Sequence, residues 1–321
     1  MDIDFIKQIN QFGQQSIPFL LIIDFEIKRP IIYPIFNLPT DILFQTTIYK
    51  NSTITTKTTT DFRFKKFPVN FRIYKKAFDK IQDNIRAGNT YLLNLTFPTK
   101  IETNLSLKEI FLLSKAKYKL LFNDRFVVFS PETFIRIFGG KIYSYPMKGT
   151  IDANIPNAQD VILNDVKETA EHNTIVDLIR NDLSIVSNNV TVEKYRYIDE
   201  LVTNDKRLLQ VSSVISGDLP ENYKEILGDI IFSLLPAGSI SGAPKKKTVK
   251  IIKDTESYER GYYTGIMGYF DGENFDSAVM IRFIEKKNEC LIYKSGGGIT
   301  YLSDPRSEYE ELIKKVYVPI N

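Results

Sequence analysis

At 321 residues, with 43% apolar and 25% charged side chains, the chain has the balance of a globular protein with a sizeable core. A net charge of +3 and the absence of long Lys/Arg blocks argue against a nucleic-acid footprint, and the densest run, Lys245-Lys246-Lys247, reads as a solvated helix face. One histidine (His172) and one cysteine (Cys290) exclude a His-rich or Cys-rich zinc site and an internal disulfide within one chain, and fit a reducing compartment.

The start, Met1-Asp2-Ile3-Asp4, lacks the basic and apolar regions of a signal peptide, and no apolar run is long enough to cross a bilayer. A soluble cytoplasmic protein with no membrane partner is expected. Residues 16–64 read as strand-rich, with runs at Phe19–Phe25 and Ile42–Phe44 broken by Pro30, Pro34 and Pro39. The Thr-rich stretch Asn51–Thr60 predicts an exposed hairpin. Ala77, Phe78, Ile81 and Ile85 predict a helix over Tyr74–Ala87, capped at Gly88. A strand at Tyr91–Phe97 and a helix at Leu107–Lys117 follow, then strands at Lys119–Phe122, Phe126–Ser130, Phe134–Phe138 and Lys141–Tyr145. One long helix is expected from Asp160 to Val186, then strands at Val190–Tyr195 and Val211–Ser216 and a helix at Lys224–Leu234. Pro244 suits the first turn of a helix carrying Val249, Ile251 and Ile252. Strands at Gly265–Phe270, Asp276–Ile284 and Cys290–Lys294 precede a glycine triplet, Gly296 to Gly298, and a last helix beginning at Ser303-Asp304-Pro305. Hairpin-like runs alternate with grouped helices and no regular βαβ repeat is present, which predicts an α+β fold with large, mainly antiparallel sheets.

Several residues are candidates for chemistry. Glu308, Glu311 and Lys315 recur at helical spacing on one face of the last helix. The glycines before it permit close approach of backbone to a ligand, and their N–H groups can bind a carboxylate. Glu171 lies among apolar neighbours and, if buried, needs a cation or a proton; with Glu311 it could hold Mg²⁺ through oxygen. His172 is a general base on paper and otherwise a polar helix residue. Arg282 closes the alternation Ala278, Met280, Arg282, which places it on a strand face suited to a bidentate grip on a carboxylate. Gly238–Lys245 lacks phosphate-loop spacing, although backbone donors leading into a helix attract an anion. Cys290, in the strand-like run Glu289–Tyr293, reads as a packed residue, so ammonia drawn from glutamine would have to come from a second protein.

Seven blocks in order resemble the chorismate-utilising family of anthranilate, aminodeoxychorismate, isochorismate and salicylate synthases. They are Ser130-Pro131-Glu132, Pro146 to Thr150, Ala170 to Asp182, Gly238 to Lys245, Arg260 to Tyr269, Ile281-Arg282, and Gly296 to Lys315. The match covers roughly 72–318, with 1–71 a strand-rich part of the same domain; a single domain over 1–321 is expected. The resemblance implies a sandwich of two large sheets flanked by helices. It implies Mg²⁺ held by Glu171 and Glu311 with Glu308 close by, and Glu132 as the acid that protonates the departing C4 hydroxyl of chorismate. It further implies that Tyr263 and Arg282 grip the pyruvyl carboxylate, and that Ser239, Gly297, Gly298 and Lys315 surround the ring carboxylate.

Two positions sort the family's reactions. Isochorismate-type members resemble one another in a lysine base where this chain has Leu92. Anthranilate synthases usually have alanine where this chain has Lys148, whereas the aminodeoxychorismate branch has a lysine nucleophile there. The resemblance therefore implies amination at C4 to 4-amino-4-deoxychorismate, with ammonia from a glutamine amidotransferase subunit. Anthranilate formation, and a non-catalytic anion-binding or docking module, are the alternatives. Desolvation is expected to lower the pKa of Lys148 toward a usable amine. Leu209 stands where the family usually has histidine.

Overall fold

The computed structural model describes residues 3–54, 61–202 and 207–320. In chain order the elements begin with α1 (Ile3–Gln14), β1 (Phe19–Ile23), β2 (Ile31–Pro34), β3 (Ile42–Gln45), β4 (Phe64–Phe67), α2 (Phe71–Arg86) and β5 (Leu92–Thr103). They continue with α3 (Leu107–Leu113), β6 (Tyr118–Phe122), β7 (Phe126–Ser130), β8 (Thr133–Phe138), β9 (Lys141–Ser144), β10 (Met147–Asp152), α4 (Ala158–Asn164) and α5 (Val166–Leu183). Next come β11 (Asn188–Val202), β12 (Arg207–Asp218), α6 (Leu227–Ser233), the single turn α7 (Gly238–Ser241), β13 (Gly242–Ala243) and α8 (Lys245–Thr255). The chain closes with β14 (Ile266–Phe270), β15 (Phe275–Val279), β16 (Phe283–Lys287), β17 (Cys290–Ile299) and α9 (Pro305–Lys314).

Two large antiparallel sheets result, as expected of the α+β class. One runs β10-β12-β9-β8-β15-β14-β1-β2 with β11 along β12, and the other β13-β5-β17-β16-β7-β6-β3 with β4 along β5. Between the sheets, Leu20, Ile22 and Met267 of the first meet Phe44, Leu120 and Phe283 of the second. The opposite face of the first sheet packs on α1, α5 and α6 through Ile9, Val176 and Ile231, and α2 packs on β5 and β17 of the second through Phe78. Alternating burial along the strands builds both faces.

The helices departed from expectation where a cap intervenes. The run expected as one helix from Asp160 to Val186 is two, because Asp165 is extended and its side chain accepts from Glu168 N–H, starting α5 afresh. Helix α1, with Phe5, Ile6 and Ile9 buried, was not anticipated. Asp304 caps α9 with Pro305 in its first turn, as read from the sequence. Lys245 is not on a solvated face: its ammonium pairs with Asp182 at 2.9 Å. The hairpin expected over Asn51–Thr60 falls partly on residues 55–60, outside the described residues, and 51–54 form no strand.

The strand expected over Asp276–Ile284 is also two. After Val279 the chain leaves the first sheet, and Arg282 turns it into the second with φ at +54°. Arg282 is therefore a crossover residue and not a member of a strand face. The alternation persists through the crossover, so pattern alone does not reveal it. A parallel crossover runs from β7 to β8 through Pro131-Glu132. Two backbone bonds tie the pair together, Phe129 N–H to Arg282 O and Val279 N–H to Glu132 O, both 3.1 Å. The glycine triplet lies inside β17 and pairs with Asn94–Thr96 of β5. Since β16 pairs with β17 only from Lys294 backward to Cys290, the other edge of the triplet has no strand partner among the described residues.

Candidate active site

The site is assembled where β10 and α5 of the first layer face β17 and α9 of the second. Lys148 sits in a bulge of β10: pairing with β12 slips between Met147 and Thr150, and Gly149 takes a φ of +84°. A bulge re-aims a side chain, and the Lys148 ammonium lies 2.6 Å from Glu171 Oε2. Glu171, on α5, is only 6% exposed, and its Oε1 has no hydrogen-bond partner. Lys167, one turn earlier, bridges to Glu171 Oε1 at 3.9 Å and to Glu308 Oε1 of α9 at 3.3 Å. On α9, Glu311 pairs with Lys315 at 2.6 Å, and the Lys315 ammonium also donates to Gly296 O at 3.0 Å.

The glycine strand is the floor. A Cβ on Gly297 would lie 3.6 Å from Glu308 Oε2, 3.7 Å from Lys315 Nζ and 3.8 Å from Glu311 Oε1. One on Gly298 would lie 3.2 Å from Leu92 Cδ1 and 3.7 Å from Lys148 Nζ. Glycine thus leaves room that any side chain would fill, and Leu92 and Lys148 face the same spot.

Glu132, Ser239, Tyr263 and Arg282 form the opposite end. The Ser239 hydroxyl donates to Glu132 Oε1, which places Ser239, expected beside the ring carboxylate, against the acid. Tyr263 precedes Thr264, whose φ is +61°, and Thr264 N–H bonds Met280 O at 2.8 Å. Left-handed residues thus flank or carry both Tyr263 and Arg282, a strain that concentrates at ligand clamps. The Arg282 Nε is buried without a hydrogen-bond partner. Beneath, the fully buried Arg260 guanidinium binds Glu256, Ile240 O and Asn94 O, tying α7 and β5 together.

Electrostatics separate the roles. Burial pushes the Glu132 carboxyl up, beyond what Ser239, Arg282, Lys315 and Lys148 recover, which favours a retained proton. Burial pulls the Lys148 ammonium down, but Glu171, with Glu311 and Glu168, outweighs it and holds the group above the usual lysine value. The expectation of a net lowering is corrected: the ion pair wins over desolvation. Burial lowers Lys315 despite Glu311. His172 is not a surface polar residue. It is fully buried, bonds Ser213 Oγ at 2.7 Å through Nε2, and is pulled down to about 4 by desolvation and then by Arg196 and Lys148.

Glu171, Glu308 and Glu311 offer hard oxygen donors of the kind a divalent cation takes, and the bare Glu171 Oε1 is a free ligand atom. Donor type therefore fits Mg²⁺, although Glu171 Oε1, which accepts no hydrogen bond, has the Lys167 ammonium 3.9 Å away. In this arrangement lysines bridge the carboxylates, and no three acidic, His or Cys side chains among the described residues are gathered as a metal cage. Lys167 was not singled out from sequence; its i, i+4 relation to Glu171 was the available signal. Cys290 is a half-buried free thiol at the start of β17. No helix among the described residues is long and apolar enough to cross a membrane.

The chain is 51% identical to an uncharacterized PabA-like protein of Pasteurella multocida, over 98% of each chain. It is 33% identical to anthranilate synthase component 1 of Acetivibrio thermocellus, over 74% of this chain and 50% of that protein. A putative 2,3-dihydroxybenzoate-specific isochorismate synthase from Bacillus anthracis superposes with a TM-score of 0.71 at 18% identity, covering 97% of this chain and 87% of that one, which shows a shared fold. Residues 40–321 match the chorismate binding enzyme family. The fold, the glycine-floored site and this match over most of its length place the chain in that family.

Proposed function

We propose that the protein aminates chorismate at C4, giving 4-amino-4-deoxychorismate. The observation that carries this reading is Lys148, whose ammonium faces Gly298 and pairs with Glu171 inside the site. Glu171 and Glu311, with Glu308 beside them, would hold Mg²⁺, which when bound supplies positive charge for the ring carboxylate. Lys315 lies against the same floor and adds a donor there. Arg282 and Tyr263 hold the pyruvyl carboxylate, the guanidinium through its planar fork.

Glu132 carries the proton. Ser239 occupies its Oε1, which leaves the other oxygen to donate to the C4 hydroxyl as it departs as water. The Lys148 amine, after losing its proton to solvent, forms a bond to C2 as both ring double bonds shift toward C4 and the C4–O bond breaks. Ammonia then attacks C4, both double bonds return, and the Lys148 amine leaves C2; the proton shed by the new C4 ammonium restores Glu132, and Lys148 regains from solvent the proton it gave up. Ammonia comes from a glutamine amidotransferase, since Cys290 lies in a strand and outside any nucleophile elbow. Leu92 fills the place where a base for water attack at C2 would stand.

The relative named anthranilate synthase component 1 favours amination at C2 as the second reading. Product analysis with chorismate, Mg²⁺ and an ammonium salt, with and without added 4-amino-4-deoxychorismate lyase, decides between them. 4-Aminobenzoate formed only with lyase is the expected result. Anthranilate would overturn it, and no chorismate consumption by folded protein would leave a binding or docking module.

A further inference from the structure

Arg282 is a half-buried arginine, its Nε fully enclosed, with an incomplete set of partners. Its Nε has no hydrogen bond, and among the described residues it makes no salt bridge. A guanidinium taken from water without a carboxylate is costly. Its neighbours are instead tyrosines: against burial, Tyr293, Tyr317 and Tyr263 help hold it above the usual arginine value, and the Tyr317 side chain also hydrogen-bonds it. Of these, Tyr317 differs in origin and exposure. It belongs to the segment after α9, and its ring centroid lies 5.4 Å from Arg282 Cζ.

That segment is anchored on both sides of the ring. Val316 and Val318 are buried at 1% and 8% exposure, while Tyr317 is 45% exposed. Lys115 N–H bonds Pro319 O at 2.9 Å, and Ile320 bridges to Ser114. Tyr317 is therefore fixed by its neighbours, with one face toward the guanidinium and the other toward water. Lys315, two residues earlier in the same segment, reaches the glycine floor.

We propose that Tyr317 is a positioning residue that holds the Arg282 guanidinium in place for a substrate carboxylate, by cation–π contact and by shielding it from water. This rests on the reading of chorismate as substrate. A planar cation over a ring keeps its charge exposed at the edge, where a carboxylate can meet the fork. With no protein carboxylate bound to it, the arginine remains free to take the ligand's.

The test uses the full chain with Mg²⁺: chorismate binding by calorimetry, and steady-state KM and kcat with ammonium, for wild type, Tyr317→Leu, Tyr317→Phe and Tyr317→Trp. Tyr317→Leu is expected to weaken chorismate binding and raise KM about five-fold with kcat changed less than about two-fold. Tyr317→Phe and Tyr317→Trp, which retain a π face, stay within about two-fold of wild type. Unchanged binding by Tyr317→Leu, or equal loss in Tyr317→Phe and Tyr317→Leu, overturns the inference. So does a Tyr317→Leu protein whose melting temperature and kcat fall while KM holds. Wild-type protein that binds no chorismate overturns both this inference and the proposed function, which separates that failure from one confined to Tyr317.

Discussion

Glu132 and Arg282 stand on two direct crossovers between the sheets, β7 to β8 and β15 to β16, and those crossovers are tied to each other by two backbone hydrogen bonds of 3.1 Å. The acid and the cation are thus set by one piece of backbone, not by two independent loops. Arg282→Lys keeps the charge but loses the fork and the stacking plane. KM for chorismate is expected to rise about ten-fold with kcat less affected, because a bidentate, desolvated contact is worth roughly that factor. Steady-state kinetics check this, and an unchanged KM would detach Arg282 from the substrate.

Lys148→Ala removes the amine while leaving the acid and the glycine floor in place. Formation of 4-amino-4-deoxychorismate is expected to fall by at least about 100-fold, the scale of losing a covalent nucleophile. Chromatography of the product with ammonium present is the measurement. Wild-type yield from the variant would remove the covalent step.

The adjacent glycines predict opposite failures. A Cβ at Gly296 would lie 2.5 Å from Leu95 O and 2.5 Å from Thr96 Cγ2, so Gly296→Ala should cost stability, roughly 1–3 kcal/mol. At Gly297 the nearest atom is 3.6 Å away, ordinary contact. Gly297→Ala should melt near wild type yet bind chorismate more than about ten-fold more weakly, because the methyl displaces ligand and not protein. Denaturant midpoints and calorimetry on the two variants separate the effects.

His172 supplies a pH dependence of stability. Its folded pKa of about 4 lies below the ordinary 6.5, so the native state refuses a proton that the unfolded chain accepts. The stabilisation is complete above about pH 6.5 and is withdrawn as pH falls toward 4. Its size is about 3 kcal/mol on the conversion of one pKa unit to 1.4 kcal/mol. Urea midpoints for wild type and His172→Gln across this range should converge at the acid end.

Much of the site was legible because its carriers obey local rules. Asp304 and Pro305 announce α9, and the spacing of Glu308, Glu311 and Lys315 follows from it. Burial of Glu171 was read from its apolar neighbours. What escaped had no local signature. At the departure of Met280–Arg282 from the first sheet, Met280 bonds to Thr264 and Gly265, residues of the turn before β14. The charged state of Lys148 depends on a partner across the fold, and desolvation considered alone pointed the wrong way. Lys167 links two helices and gains significance only once α5 and α9 are side by side. The Asp165 cap was readable in principle, since an aspartate three residues before a glutamate marks a helix start.

Strand β1 lies between β2 and β14, with Phe19 paired to Phe270. The β2 end of the first sheet therefore joins segments from distant parts of the sequence, a topology of high contact order and slow folding. During synthesis β1 emerges early but cannot find its inner neighbour until nearly the whole chain has left the ribosome. The glycine floor and α9 arrive later still. Until then the apolar face of β1 is exposed, and it is the segment on which a chaperone or a misassembled neighbour would first act.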